Sequence, residues 1–405
     1  MNPASGVVSR AVDLCGSAER RGEAVDWALA RRLAHDLASP AAARAVPLDS
    51  AVGRILAAPV RAAVPLPGFD NAAMDGYAVH GPGPWQVVDR VLAGCTRLPA
   101  SLTDGTAVEI ATGAPVPRGT DRVVPYEAAD RRGDTVSAPP DERRHVRRRG
   151  EYARPEQVLV PAGARVTPPV VGLAAAVGLD RLTVHPRPRL RVIVSGNELV
   201  TSGRPGWGRV RDAIGPMLHP LLASWGAEML DSRLVGDEPD WFAAAVADSI
   251  GEADVTVVCG ASSVGPADGL HRTLERLSAT VHVDGVACRP GHPQVLTQLG
   301  PRWLVGLPGN PYAALVGALT LVEPLLAGLT GASLPDAEPV PLRDTLAPDH
   351  RRTRILPVRW SAGAVRLVQG DQPGFLGGAA VADGFAVVPP GWCGDERVGL
   401  LRLPS

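Results

Sequence analysis

Two stretches carry residue types suited to holding a phosphate-bearing ligand. Gly306-Leu307-Pro308-Gly309-Asn310-Pro311 follows an apolar run, Trp303-Leu304-Val305, and enters an apolar helical segment from Tyr312 to Leu326. Asn310 is placed as an N-cap, and Pro311 fits the first helical turn, where its missing N–H costs nothing. Gly306 and Gly309 let the backbone turn sharply and approach a ligand closely. Free N–H groups and the dipole at such a helix end favour an anion. A tight strand-to-helix turn without a ligand would use the same residues, and the loop alone leaves both readings open. The second stretch, Cys259-Gly260-Ala261-Ser262-Ser263-Val264-Gly265-Pro266-Ala267-Asp268, lies between the apolar run Val255 to Val258 and a helical pattern from Leu270 to Leu277. Arg289-Pro290-Gly291-His292-Pro293 lies between the two units.

Further polar groups stand at the ends of other elements. Glu198 follows Ser195-Gly196-Asn197 after the apolar run Leu190 to Val194, at a strand end where a ligand would lie. Asp212 precedes a helix, Ile214 to Trp225, whose start Pro216 and Pro220 blur, and N-cap duty is its default role. Asp75 sits in an Asp-Gly pair, a common hairpin turn, within Asp70 to Ala78. Thr112 is the hydroxyl of a glycine–proline loop, Ala111 to Pro117. The densest basic run, Arg143, Arg144, Arg147, Arg148 and Arg149 with His145, makes either a solvated face or a receptor for a phosphate-bearing ligand.

The elements that must position these groups follow from periodicity. Strand, glycine loop and helix recur between Asp254 and Gly317, which predicts a doubly wound parallel sheet with ligands beyond the carboxyl ends of its strands. Short strands with Gly and Pro turns from Phe69 to about Val146 predict a β-rich domain, and similar runs from about Ser333 to Ser405 predict a second. Asp26 to Leu37 reads as a helix with Trp27, Leu29, Ala30, Leu33, Ala34 and Leu37 on one apolar stripe. Ala45 to Val60 is expected to hold a short helix ended by Pro59, and residues 1–23 a loose tail.

A chain of 405 residues is long enough for two to four domains, and a net charge of −1 gives no field directed at nucleic acid or membrane. All 41 basic residues are arginine, so every permanent cation is a planar fork. Cys15, Cys95, Cys259, Cys288 and Cys393 are scattered, which suggests neither a disulfide frame nor a zinc site. No stretch reads as 18 consecutive apolar residues and the N-terminus has no apolar leader pattern, so a cytoplasmic location is expected.

In order along the chain, Pro67-Gly-Phe-Asp-Asn-Ala-Ala-Met-Asp-Gly-Tyr-Ala78, Thr112-Gly-Ala-Pro-Val-Pro117, Arg147-Arg-Arg-Gly-Glu151, Pro161-Ala-Gly163, Ser195-Gly-Asn-Glu-Leu199, Ser263-Val-Gly-Pro-Ala-Asp268, Arg289-Pro-Gly-His-Pro293 and Gly306-Leu-Pro-Gly-Asn-Pro311 resemble the motifs of the molybdopterin molybdotransferase family, which includes MoeA and the gephyrin E domain. Each stretch is weak alone, but their shared order is specific. The resemblance implies an α/β multidomain homodimer. Its parts would be a linker domain (25–66 and 150–187), a β-rich insert domain (67–149), a doubly wound molybdopterin-binding domain (188–332) and a small C-terminal β-barrel-like domain (333–405), after a tail of residues 1–24.

The same resemblance implies that adenylylated molybdopterin and molybdate are the substrates, that AMP leaves, and that a divalent cation, usually magnesium, assists. Molybdopterin adenylyltransferase or recipient molybdoenzymes are the implied partners. Asp75, Asp212 and Asp268 match the family's acidic positions and are the implied metal ligands, with Glu198 beside them. Ser263, Gly265, Arg289, Pro290, Pro293, Gly309 and Asn310 match its ligand cradle, and Thr112 supplies a hydroxyl. A molybdopterin adenylyltransferase would share the doubly wound core, but the additional β-rich domains argue against it.

Departures from the family pattern cluster in this site. Tyr152 stands where the family has aspartate, Ala213-Ile214 where it has a hydroxyl residue and asparagine, and Ala261-Ser262 where it has Gly-Val. Asn197 replaces an aspartate, and Arg289 and His292 replace two lysines. The same chain is thus also read, in a second class, as a paralogue that binds the pterin or a partner protein without turnover.

Overall fold

The computed structural model describes residues 24–96, 101–260, 269–394 and 397–403. The chain divides into two compact units, residues 42–185 and residues 1–41 with 186–405.

In the 42–185 unit a six-stranded sheet runs in the order Arg122–Pro125, Gly76–Val79, Thr106–Ile110, Trp85–Val91, Thr135–Ser137, Asp130–Arg132. Its strands alternate cleanly. Ala78, Val108, Ile110 and Val123 enter one core, and Tyr77, Val79, Ala107 and Val124 enter the other, as the period of two requires. Outside the sheet, Arg44–Pro47 pairs with Arg181–Val184, Val60–Arg61 with Val158–Val160, and Leu66 bridges Ala153. The helix Pro168–Ala176 covers these ladders and contributes the buried Ala174 to their core. The helix expected before Pro59 is only a 3-10 turn, Leu48–Ser50. A strand ending in Pro47 precedes it, and Gly53, at φ +81°, turns the chain away after it.

The other unit contains the doubly wound sheet, in the order Glu228–Val235, Arg189–Ser195, Val255–Cys259, Arg302–Leu307, Val295–Leu299, Thr280–Asp284. The first four strands are parallel and the last two antiparallel to their neighbours. Both faces are buried. Val192 and Val194 pack with Leu218 and Leu222 of the helix Ile214–Ser224. Ile193 packs with Phe242 and Val246 of the helix Pro239–Glu252 and with Leu270 and Leu274 of the helix Gly269–Arg276. Each such fully buried side chain contributes about 1.5–3 kcal/mol. A second sheet, Cys288–Arg289, Thr353–Ser361, Gly384–Val388, Val398–Leu401, Glu338–Val340, with Ala364–Leu367 beside Thr353–Ser361, closes the chain.

The apolar segment after Pro311 is one continuous helical stretch to Thr330, with a π turn at Ala318–Val322. By length and hydropathy this is a candidate membrane span that the count of consecutive apolar residues passes over, yet 89% of its most apolar window is buried as a core helix. The N-terminal helix, Trp27–Asp36, packs on it, and here the expected stripe shifts. Leu29 is exposed and Arg31 buried, because Arg31 donates to the Leu319 and Pro335 carbonyls and pairs with Glu323 at 3.3 Å.

Candidate functional site

The strand Arg189–Ser195 lies between two parallel neighbours, and successive crossovers around it lie on opposite faces of the sheet. The helix Ile214–Ser224 covers one face on the way to Glu228–Val235, and Pro239–Glu252 covers the other on the way to Val255–Cys259. That reversal opens a crevice at the carboxyl ends of the strands, the usual ligand position in such sheets. Three loops meet there. Gly260 adopts φ +101°, and a Cβ on it would lie 2.4 Å from the Ser195 carbonyl oxygen. A Cβ on Gly309 would lie 3.2 Å from the Gly260 Cα. Glycine is required at position 260, and at 309 a side chain would press on the Gly260 backbone.

Asp237, which no sequence motif singles out, holds the first of these loops. Its carboxylate accepts from Ser195 Oγ (2.9 Å) and from the Asn197 amide (3.1 Å), while its own amide donates to Asn197 Oδ1 (3.2 Å). Its only sequence signal is an acid at a strand end ahead of a helix with proline in its first turn, Pro239. Asn197, one of the departures, is one half of this reciprocal pair. Glu198 is exposed, and its carboxylate folds back over Gly196.

Asp212 is half-buried and caps the helix Ile214–Ser224, accepting from the amides of Ile214 (2.9 Å) and Gly215 (3.1 Å). A Cβ on Gly215 would lie 2.6 Å from Asp212 Oδ2. Burial, and then the Asp212 charge, push the Cys259 thiol far above its ordinary range, so Cys259 stays protonated. Ile214, another departure, is buried in the core.

The Gly306–Pro311 loop differs from expectation at its helix end. Asn310 stands at the cap position, but its side chain makes no capping bond. The amides of Tyr312 and Ala313 donate instead to the Pro373 carbonyl, at 2.9 and 3.3 Å. The donors expected to attract an anion are therefore already satisfied by a carbonyl of the C-terminal sheet region. Arg289 is exposed and pairs in register with Arg354, while Pro290 is buried and Pro293 half-buried. His292, at the second of the two lysine positions, is anchored through its ring. Its Nδ1 lies 2.9 Å from the Val286 carbonyl. A carbonyl only accepts, so the proton sits on Nδ1, and in the neutral ring Nε2 is an acceptor.

In the 42–185 unit the structure brings two separate motifs together. Asp75 accepts from the Thr112 amide at 2.6 Å, and the Asp75 carbonyl accepts from Tyr126 at 3.1 Å. The hydrogen bond from Thr112 holds the Asp75 carboxyl below its ordinary value, so the group stays ionised. Much of the basic run is tied to nearby acids and carbonyls. Arg143 pairs with Asp141 (3.1 Å) and Arg148 with Asp70 (2.6 Å), and the Arg149 amide donates to Asp70 (2.7 Å). Tyr152 is exposed.

Asp75 and Thr112 thus belong to one unit, and Glu198, Asp212, Arg289, Pro290, Pro293, Gly309 and Asn310 to the other. Ser263, Gly265 and Asp268, with Ala261 and Ser262, lie outside the described residues.

Comparison with known proteins gives the same picture over most of the chain. Residues 23–178 match the MoeA N-terminal region (domain I and II), and residues 191–328 match the probable molybdopterin binding domain. The chain is 33% identical over 292 residues to a molybdopterin molybdenumtransferase of Haemophilus influenzae, covering 70% of this chain and 72% of that one. It is 35% identical over 311 residues to molybdopterin molybdenumtransferase 2 of Mycobacterium tuberculosis, covering 72% and 76%. The crystal structure of a molybdopterin biosynthesis MoeA protein from Pyrococcus horikosii superposes with a TM-score of 0.78 at 25% identity, covering 95% of this chain and 100% of that one. Motif order, sheet topology and overall similarity agree, and the chain belongs to the MoeA family of molybdopterin molybdenumtransferases.

Proposed function

We propose that the protein acts in molybdenum cofactor biosynthesis, transferring molybdenum from molybdate to adenylylated molybdopterin with release of AMP. The observation that carries this reading is the 33–35% identity, over 70% or more of the chain, to relatives named for that transfer. Cleaving the adenylyl phosphoanhydride forms one P–O bond to an incoming oxygen of molybdate or water and breaks another, and AMP leaves with its phosphate charge. The exposed Arg289 is the candidate cation for such charge. Asp75, held ionised by the Thr112 amide, is suited to orient an attacking oxygen and not to donate a proton.

Among the described residues no group of three or more His, Cys, Asp or Glu side chains is arranged to hold a metal ion. Magnesium is commonly held by one or two carboxylates with substrate phosphate and water; Asp75 and Asp212 are the described candidates, and Asp268 lies outside the described residues. The reading extends to a cytoplasmic homodimer with the four-part domain division, supported by the family resemblance. For the division there is also the pairing of strands on either side of residues 67–149.

The test is to incubate the purified protein with adenylylated molybdopterin and molybdate and to follow AMP. Release that depends on molybdate supports transfer. Release no greater than the blank, with pterin binding intact, leaves the non-catalytic binder. That second reading is favoured only by the structural use of three departure positions, Asn197 paired with Asp237, His292 on the Val286 carbonyl and Ile214 in the core.

A further inference from the structure

The loop of residues 201–209 stands out at the crevice. Its ends are pinned beside the site. Leu199 and Val200 pair in parallel with Val210 and Arg211, the Val210 amide donates to the Glu198 carbonyl (2.8 Å), and the Asp212 amide donates to the Val200 carbonyl (3.0 Å). The Arg209 guanidinium donates to the Asn197 carbonyl, and that of Arg211 to the Gly203 carbonyl at 3.0 Å. The base of the loop is therefore fixed to the residues that carry Glu198 and Asp212.

Its tip is different in kind. Every residue from 201 to 210 is exposed, and Trp207, between Gly206 and Gly208, has a relative exposure of 102%. Tryptophan is among the more buried residue types on average, so an indole with all its surface in water, carried on an anchored loop, points to a ligand that covers it. Arg204, Arg209 and Arg211 share the loop, and no carboxylate lies between Thr201 and Arg211. An open π face on a loop whose only formal charges are arginine suits a planar base bearing phosphate. One indole offers far less apolar area than the roughly 800 Å² per partner of a stable protein interface, which disfavours a docked protein.

We propose that Trp207 is a nucleobase platform: it stacks on the adenine ring of the nucleotide half of the substrate, and of the AMP that leaves. This rests on the reading of the substrate as adenylylated. Trp207 supplies binding and orientation to the departing half and takes no part in bond breaking.

The experiment compares AMP with ribose 5-phosphate, which keeps the phosphate and lacks the base, by titration calorimetry against wild-type, Trp207→Phe and Trp207→Ala proteins. The position is fully exposed, so all three should share one unfolding temperature. Wild type is expected to prefer AMP, Trp207→Ala to lose about tenfold in AMP affinity, and Trp207→Phe to keep most of it. Ribose 5-phosphate affinity should be unchanged throughout. Equal AMP affinity in wild type and Trp207→Ala overturns the inference, as does a change confined to sedimentation, which would make the loop an assembly contact. The two readings fail separately. Protein that binds AMP through Trp207 but releases none from adenylylated molybdopterin sinks the transfer reading alone. Intact AMP release with Trp207→Ala binding unchanged sinks this inference alone.

Discussion

The Asp75 carboxylate accepts a 2.6 Å hydrogen bond from the Thr112 amide, joining two loops 37 residues apart in sequence. An asparagine at position 75 would still accept that bond through its amide oxygen but would carry no charge. Asp75→Asn should therefore unfold at nearly the wild-type temperature while AMP release falls on the order of 100-fold. Wild-type turnover in this variant would remove Asp75 from the site. Because the Thr112 bond lowers the Asp75 pKa, the wild-type group should stay ionised as pH falls to its ordinary value of 3.8.

Asp212 is asked to do two things, and two substitutions separate them. Asp212→Ala leaves the amides of Ile214 and Gly215 without their acceptor and should cost about 1 kcal/mol in denaturant unfolding. Asp212→Asn keeps an acceptor and should cost much less. If Asp212→Asn is stable and inactive, the carboxylate serves the reaction. If it is stable and active, the residue is a helix cap and nothing more.

Gly260→Ala should be among the most damaging single changes at the crevice. The new Cβ would sit 2.4 Å from the Ser195 carbonyl oxygen at a φ of +101°, so both close contact and backbone strain oppose it. A loss of about 2 kcal/mol or more is expected in chemical denaturation, with AMP release falling alongside. Stability within a few tenths of wild type would mean that the two strand-end loops do not abut.

Acid should loosen the 67–71 and 147–151 segments only below the ordinary carboxylate range. Burial raises the Asp70 pKa, but the bonds from the Arg149 amide and the Arg148 guanidinium outweigh it, and the net shift is downward from 3.8. A carboxyl with a depressed folded pKa stabilises fully above its unfolded value and loses that contribution as pH falls through the folded one. Exchange of the Arg149 amide should therefore accelerate below about pH 3.8 in wild type, where protonation begins. In Asp70→Ala, which removes the acceptor of that amide, it should be fast and nearly independent of this protonation across the same range.

What the sequence made legible and what it hid follow from range. Val255 to Val258 and the helix after Pro311 declare themselves because each is a local hydrophobic run, and burial on both faces of a parallel sheet demands such runs. Arg31 could not be foreseen as buried, because its partner Glu323 is 292 residues away. The closed helix end at Tyr312 was equally hidden, since its acceptor is the carbonyl of Pro373. Asp237 looked like any acid before a helix, and only the fold sets it against Ser195 and Asn197. In the site, the nearness of Asp75 to Thr112 was implied by the family motifs and by nothing in their spacing.

The bridge between Leu66 and Ala153 brings the two ends of residues 67–152 to neighbouring positions. The chain therefore leaves for this stretch and returns from it through one doorway. A module mounted in that way can lengthen, shorten or be exchanged without resetting one strand register beyond the threshold. Variation among relatives should therefore concentrate inside the doorway, where recognition of different partners can be altered while the body that carries it is left as it was.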